Sequence, residues 1–347
     1  MVTCQQQFGL FEDSTSAKSF ARRVADRHDD NDHGAASAVS DRSFTNWFHS
    51  HRSSARCELA VARVAGKNSL PFTLSTLGTR SIEEVAAVAT GPLWYQLYVW
   101  RDRGLSRELV QRAKAAGYKA IMVTVDTAVF GRRERDVRRG FTLPPKIGLE
   151  TFVDGIRHPR WTYKFVTNEP ITFSAVAGRS DVDGSKAINL SDYVNSQFDP
   201  TLSWTDLEWI RQESGLPIML KGIQCVEDAK IAASIGVDAI ALSNHGGRQL
   251  DGSPAPIELL PSVIDAVGNS IEVLVDGGVR RGSDVVKACA LGARAVMFGR
   301  PYLYGLGAAG ELGVQWALDH ITSGVSRTMA LIGETSIKKL SRENLLL

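Results

Sequence analysis

EVLVDGGVRRGSDVVKACALGARAVMFGR, residues 272–300, holds one full turn of a repeated pattern. An apolar run from Glu272 closes on Asp276-Gly277-Gly278. A helical segment, Ser283–Leu291, follows, with Ser283 as the expected N-cap and Gly292 as a fitting stop. A second apolar run begins at Ala295 and closes on Gly299-Arg300. Runs apolar on both faces, joined by an amphipathic helix, predict two parallel strands and their crossover.

The same unit recurs upstream. Apolar runs begin at Pro71, Leu93, Ala120, Pro217, Ala239, Glu272 and Ala295, most of them 22 to 33 residues apart. Helical patterns at Ser81–Ala89 and Leu105–Ala116 fill two of the intervals. The fold class this predicts is α/β, a closed (β/α)8 barrel, the seven visible strands being the second to the eighth. Residues 1–57, rich in Ser, Arg, His and Asp, show no strand-helix unit, so the first strand is not visible there. Residues 58–347 are expected to form the barrel. Nearly a hundred residues separate the starts at Ala120 and Pro217, and the excess, about 143–201, reads as a long loop excursion. On the loop side of a barrel such an excursion is a lid or docking surface, or else a plain insertion.

Composition narrows the class of function. With 347 residues, 44% apolar and 22% charged, the chain reads as soluble and globular. A net charge of +2 offers no field for nucleic acid. The N-terminal residues lack a signal-peptide pattern and no apolar run reaches the length of a membrane span, so a cytoplasmic location is expected. Cys4, Cys57, Cys225 and Cys289 are scattered without CxxC spacing, which predicts reduced thiols and no metal site.

The chemistry-bearing residues gather at the strand ends, where a barrel builds its site. Gly277, Gly278 and Gly299 let backbone approach a phosphate, and Arg280, Arg300 and the helix beginning near Ser283 add positive charge. Glycines serving tight turns would look the same. His245 stands in Ser243-Asn244-His245-Gly246-Gly247-Arg248, and Asp126 at another strand end could orient its imidazole. Arg248 and Arg133 could grip one carboxylate, although Arg133 lies in an arginine-rich run that would also suit a solvated surface. Lys221 closes an apolar run, where an anionic neighbour, either a bound ligand or a carboxylate, would balance its charge. Gln96 and Tyr98 close the run from Leu93.

These motifs in this order resemble the FMN-dependent L-2-hydroxy-acid oxidases and dehydrogenases. SNHGGRQLD (243–251) is the most specific; PFTLSTLGT (71–79), LWYQLYVWRDRG (93–104), VTVDTAVFGRRERDVRRG (123–140), LPIMLKGI (216–223) and the residues from Val275 to Leu306 support it. The similarity runs from about Glu58 to the C-terminus and is strongest to bacterial L-lactate dehydrogenases of the respiratory type. The resemblance implies FMN as cofactor and L-lactate oxidised to pyruvate, with electrons passed to a quinone-type acceptor. His245 would be the base, Asp126 its partner, Arg248 and Arg133 the carboxylate clamp, and Tyr98 a contact to the substrate hydroxyl or carboxylate. Ser75, Gln96, Thr124 and Ser243 would touch the flavin ring or ribityl chain. Lys221 would face the N1–C2 edge and stabilise the reduced anion, and Asp276 would bind the ribityl hydroxyls. Gly278, Arg280, Gly299 and Arg300 would hold the phosphate. A homo-oligomer is implied as well. Oxygen-using oxidases, and enzymes for mandelate or glycolate, are alternatives within the family, and a flavin-poor barrel remnant is an alternative outside it.

The N-terminus departs from the family. The family's N-terminal tyrosine and Pro-Thr-Gly loop have no counterpart in residues 1–57. The chain is therefore expected to lack the first strand, expose two strand edges and bind FMN incompletely. The excursion places Trp161, Tyr163 and Phe165 near Arg157, Arg160 and Lys164, a mix suited to peripheral contact with an anionic membrane.

Overall fold

A computed structural model describes residues 37–39, 57–129, 131, 196–250 and 252–345, with scattered positions of the excursion (153, 155–157, 159, 162–163 and 174–175). Eight parallel strands close into a barrel in sequence order. They are β1 (Ser37–Val39), β2 (Phe72–Ser75), β3 (Leu93–Leu97), β4 (Ala120–Thr124), β5 (Ile218–Ile223), β6 (Ala239–Leu242), β7 (Glu272–Asp276) and β8 (Ala295–Phe298). Among the described residues a helix lies after each strand: α1 (Cys57–Lys67), α2 (Ile82–Val88), α3 (Arg103–Ala115), α4 (Asp206–Ser214), α5 (Val226–Ser234), α6 (Pro256–Val267), α7 (Gly282–Ala290) and α8 (Arg300–Leu331), the last broken at Ala309-Gly310. Seven strands fall where the apolar runs predict them.

The first strand corrects the sequence reading. Ser37–Val39 lies inside the segment expected to hold no strand, and it closes the barrel by pairing with β2 and β8. The two exposed strand edges expected of an open barrel are therefore not formed. Three residues are too short to show either alternation or an apolar run, so periodicity could not find this strand.

The strands are buried on both faces, as parallel strands between a filled interior and a ring of helices must be. Every residue of β2, β3, β5, β6 and β8 is buried. Helix ends follow local chemistry. The Ser81 hydroxyl accepts the Glu84 N–H at 3.1 Å and the Glu84 carboxylate accepts the Ser81 N–H at 2.8 Å, a reciprocal cap that starts α2. Asp102 accepts the Leu105 N–H at 2.9 Å and starts α3 two residues ahead of the expected Leu105. The N-cap of α7 is Arg281 and not Ser283. Asp284 makes the difference, because its carboxylate accepts both the Arg280 and Arg281 N–H groups, at 2.9 and 3.0 Å.

The end of the excursion is tied to the loop after β3. Trp100 and Phe198 form an antiparallel bridge, and the Arg101 N–H donates to the Gln197 carbonyl at 2.9 Å. Arg103 pairs with Asp199 at 2.8 Å and Asp206 at 3.2 Å. Further back, the Ser174 N–H and hydroxyl both donate to the Gly78 carbonyl, so the excursion also touches the loop after β2. Tyr163 and Arg157 are exposed, whereas Trp161, Phe165, Arg160 and Lys164 lie outside the described residues. Among the described residues no helix is long and apolar enough to cross a membrane.

Candidate active site

Six consecutive strands, β2 to β7, each place a buried polar residue in or just beyond their C-terminal half: Ser75, Gln96, Thr124, Lys221, Ser243 and Asp276. Polar atoms in an apolar interior must satisfy one another. The Ser75 hydroxyl donates to Gln96 Oε1 at 2.6 Å, and Gln96 Nε2 donates to Thr124 Oγ1 at 2.8 Å. Thr124 pairs in register with Lys221 on the next strand. Lys221 Nζ donates to Ser243 Oγ at 3.2 Å and meets Asp276 Oδ2 at 3.1 Å, while Ser243 Oγ donates to Asp276 Oδ1 at 2.9 Å. Of the two anions considered for Lys221 from sequence, the Asp276 carboxylate is in place. Removing either partner of a pair this deeply buried leaves a bare charge, at a cost of about 3–5 kcal/mol.

His245 follows β6 with φ +57, a left-handed conformation uncommon for a side-chain-bearing residue. Its N–H donates to Ser243 Oγ at 3.1 Å, which holds the turn to the polar ring. Nδ1 lies 3.1 and 3.2 Å from the two carboxylate oxygens of Asp126, whose side chain is 2% exposed. A carboxylate there makes Nδ1 the protonated nitrogen and leaves Nε2 to accept.

Asp126 follows β4 and reaches His245 past β5, and β5 makes room for it. Gly222 has φ +109, the register of β5 on β6 slips between Lys221 and Ile223, and a Cβ at Gly222 would stand 2.7 Å from the Asp126 Cβ. Sequence reasoning passed over this glycine. Its signal was a Gly directly after a charged residue inside an otherwise apolar strand. Gln249 and Thr76 were also missed. The Thr76 hydroxyl donates to the Gln96 carbonyl at 2.7 Å and accepts the Tyr98 N–H at 3.0 Å, joining the loops after β2 and β3.

A cavity of about 470 Å³ opens beside this cluster. His245, Arg248, Asp276, Gly278, Arg280, Gly299 and Arg300, all singled out from sequence, line it. Ser75, Gln96, Thr124, Lys221 and Ser243 do not line it; Lys221 and Ser243 reach it through Asp276. Tyr98 is buried, its ring edge-on to Phe198 with centroids 5.3 Å apart. Arg133 lies outside the described residues.

The cavity suits a phosphorylated cofactor. Gly277 and Gly278 both have positive φ, at +93 and +77, which glycine adopts freely. Among the described residues no atom beyond its chain neighbours lies within 4 Å of where a Gly278 Cβ would be, so this backbone faces open space. Arg300 presses on the His245 loop, with Nη2 3.4 Å from the Gly246 carbonyl, and a Cβ at Gly246 would come within 2.7 Å of that guanidinium. With Arg280 it gives this end of the cavity two cations for a phosphate. The Arg280 and Arg281 N–H groups already serve Asp284. The donor set and the glycine-lined wall therefore fit an anionic phosphate with a polar chain running toward Asp276.

Residues 48–347 match the family model described as FMN-dependent dehydrogenase. A Mycobacterium tuberculosis protein provisionally named an L-lactate dehydrogenase is 47% identical, over 82% of this chain and 67% of its own length. The mouse 2-hydroxyacid oxidase 1 is 44% identical, over 82% of this chain and 72% of that protein. Among solved structures, a monotopic membrane (S)-mandelate dehydrogenase superposes with a TM-score of 0.83 at 36% identity, covering 90% of this chain and 81% of that one. With the barrel, the His245–Asp126 pair and the phosphate-suited cavity, these likenesses place the chain in the FMN-dependent dehydrogenase family, flavoprotein oxidoreductases that act on 2-hydroxy acids.

Proposed function

We propose that the chain oxidises a small L-2-hydroxy acid, L-lactate to pyruvate first among them, and passes the electrons to a quinone-type acceptor. The observation that carries this reading is that His245 and Arg248 line the same cavity as Gly278, Arg280 and Arg300. A base, a carboxylate-binding cation and a phosphate site thus share one space.

FMN, when bound, supplies the acceptor for the two electrons leaving the substrate. Gly278, Arg280, Gly299 and Arg300 would hold its phosphate, Asp276 its ribityl hydroxyls, and Ser75, Gln96, Thr124 and Ser243 its ring or chain. Lys221 adds an ammonium to this polar ring. Arg248, with Arg133, grips the substrate carboxylate through charge-assisted bonds, and Tyr98 steadies the substrate beside it. His245 Nε2 takes one substrate proton, and Asp126 at Nδ1 stabilises the imidazolium that results. The preference for lactate rests on the relatives named for it. The exposed Tyr163 and Arg157, with a monotopic structural neighbour, support peripheral membrane contact from the cytoplasmic side; a homo-oligomer is also expected of the family.

The test is anaerobic reduction of the flavin-loaded enzyme by L-lactate, glycolate and (S)-mandelate, followed by reoxidation with a quinone analogue or with O₂. His245→Ala should retain FMN and lose on the order of 10²–10⁴ in the rate of flavin reduction. A parent-like rate in that variant removes the assigned base. Faster reduction by mandelate or glycolate replaces lactate as substrate, and rapid peroxide formation replaces the quinone with O₂.

A further inference from the structure

His245 and Asp126 belong to loops that follow β6 and β4, with β5 between them. Besides the His245–Asp126 pair itself, a further side chain joins these two loops. Gln249 Nε2 donates to the Asp126 carbonyl at 2.9 Å and to the Val129 carbonyl at 3.1 Å, while Gln249 Oε1 accepts the Gly131 N–H at 3.2 Å. Gly131 is flush with the backbone of the His245 loop: a Cβ there would overlap the Arg248 carbonyl and stand 2.7 Å from the Gln249 Cα.

A primary amide offers two N–H donors and a carbonyl acceptor. The β4 loop presents the complement, two carbonyls and one N–H. Glutamate would turn two donors into an acceptor facing two carbonyl oxygens, and methionine would fill the volume with no hydrogen bond. Gln249 does not line the cavity, so it acts on the reaction only through the residues it holds. One of its bonds ends on the backbone of Asp126, the residue whose carboxylate holds His245.

We propose that Gln249 is a positioning residue that clamps the β4 loop to the β6 loop and thereby sets the Asp126–His245 geometry. The catalytic consequence rests on the function proposed above. The clamp itself rests only on the contacts just described.

The experiment uses the flavin-loaded full chain, with L-lactate as the probe substrate. Gln249→Met and Gln249→Glu should lower kcat about 10–100-fold, the cost of a roughly 1 Å misplacement, with KM within about threefold of the parent. FMN content and Tm should stay near parent values. In an Asp126→Asn background the added Gln249→Met substitution should cost less than about threefold, because the contact it serves is already gone. A readout free of turnover is the downfield proton resonance of an imidazole Nδ1–H bonded to a carboxylate. It should be present in the parent and lost in both Asp126→Asn and Gln249→Met. Parent-like kcat in both Gln249 variants, full additivity with Asp126→Asn, or an unchanged resonance in Gln249→Met overturns the proposal. A lost resonance together with parent-like turnover in His245→Ala keeps the clamp and rejects His245 as the base.

Discussion

Gly222→Ala is expected to damage catalysis through a residue that does not line the cavity. The added methyl would sit 2.7 Å from the Asp126 Cβ and 2.8 Å from its Cγ. Carbon atoms rest at roughly 3.5–4.0 Å, so Asp126 must retreat by about 1 Å. The Asp126–His245 contact, now 3.1 Å, would then stretch to roughly 4 Å, outside hydrogen-bond range. Misplacement of this size costs about 10² in rate, so kcat should fall about a hundredfold. The φ of +109 adds backbone strain of about 1–3 kcal/mol and a lower Tm. Gly236→Ala separates the two effects, because Gly236 also has positive φ, at +70, yet among the described residues no atom beyond its chain neighbours lies within 4 Å of its missing Cβ. That variant should lose stability and keep its turnover. Steady-state kinetics on flavin-loaded protein, with thermal melts of all three proteins, decide the matter. A kcat for Gly222→Ala within threefold of the parent would refute the reasoning, as would an equal kcat loss in Gly236→Ala.

Arg248→Lys keeps the charge and loses the planar fork, so KM for the hydroxy acid should rise at least about tenfold, the lower end of a charge-assisted bond of roughly 1.5–3 kcal/mol; an unchanged KM removes Arg248 from the clamp. On the surface, Arg112 grips Glu83 with two bonds of 2.9 Å and draws the Glu83 carboxyl from its ordinary 4.5 to about 2. A carboxyl lowered on folding stabilises the protein above about pH 4.5 and loses that contribution as pH falls toward about 2. Solvent screening limits the pair to about 1 kcal/mol, so Arg112→Gln should cost that much in urea denaturation at pH 7 and progressively less below pH 4.5. A deficit independent of pH would contradict this.

Residues 272–300 announce a strand, a crossover helix and a second strand because a parallel strand buried on both faces must be a continuous apolar run. The same logic makes β2 to β8 legible. Most of the charged and glycine residues that interrupt these runs sit at strand ends, and Lys221 lies in the C-terminal half of β5, so His245, Lys221, Asp276 and the glycine loops could be read as a site from the sequence. The short first strand could not. Ser37–Val39 carries no period, and its pairing with Met297 and Phe298 exists only once the barrel closes. Nor could Gly222 and Gln249 be recognised for what they do. Sequence records which groups a residue carries; Gln249 meets Gly131 118 positions away only through the order of the strands. The tertiary structure decided that a glycine on β5 leaves space for a carboxylate from β4 to hold a histidine from β6. Such an arrangement depends on distances across the barrel mouth, and no local spacing along the chain encodes them.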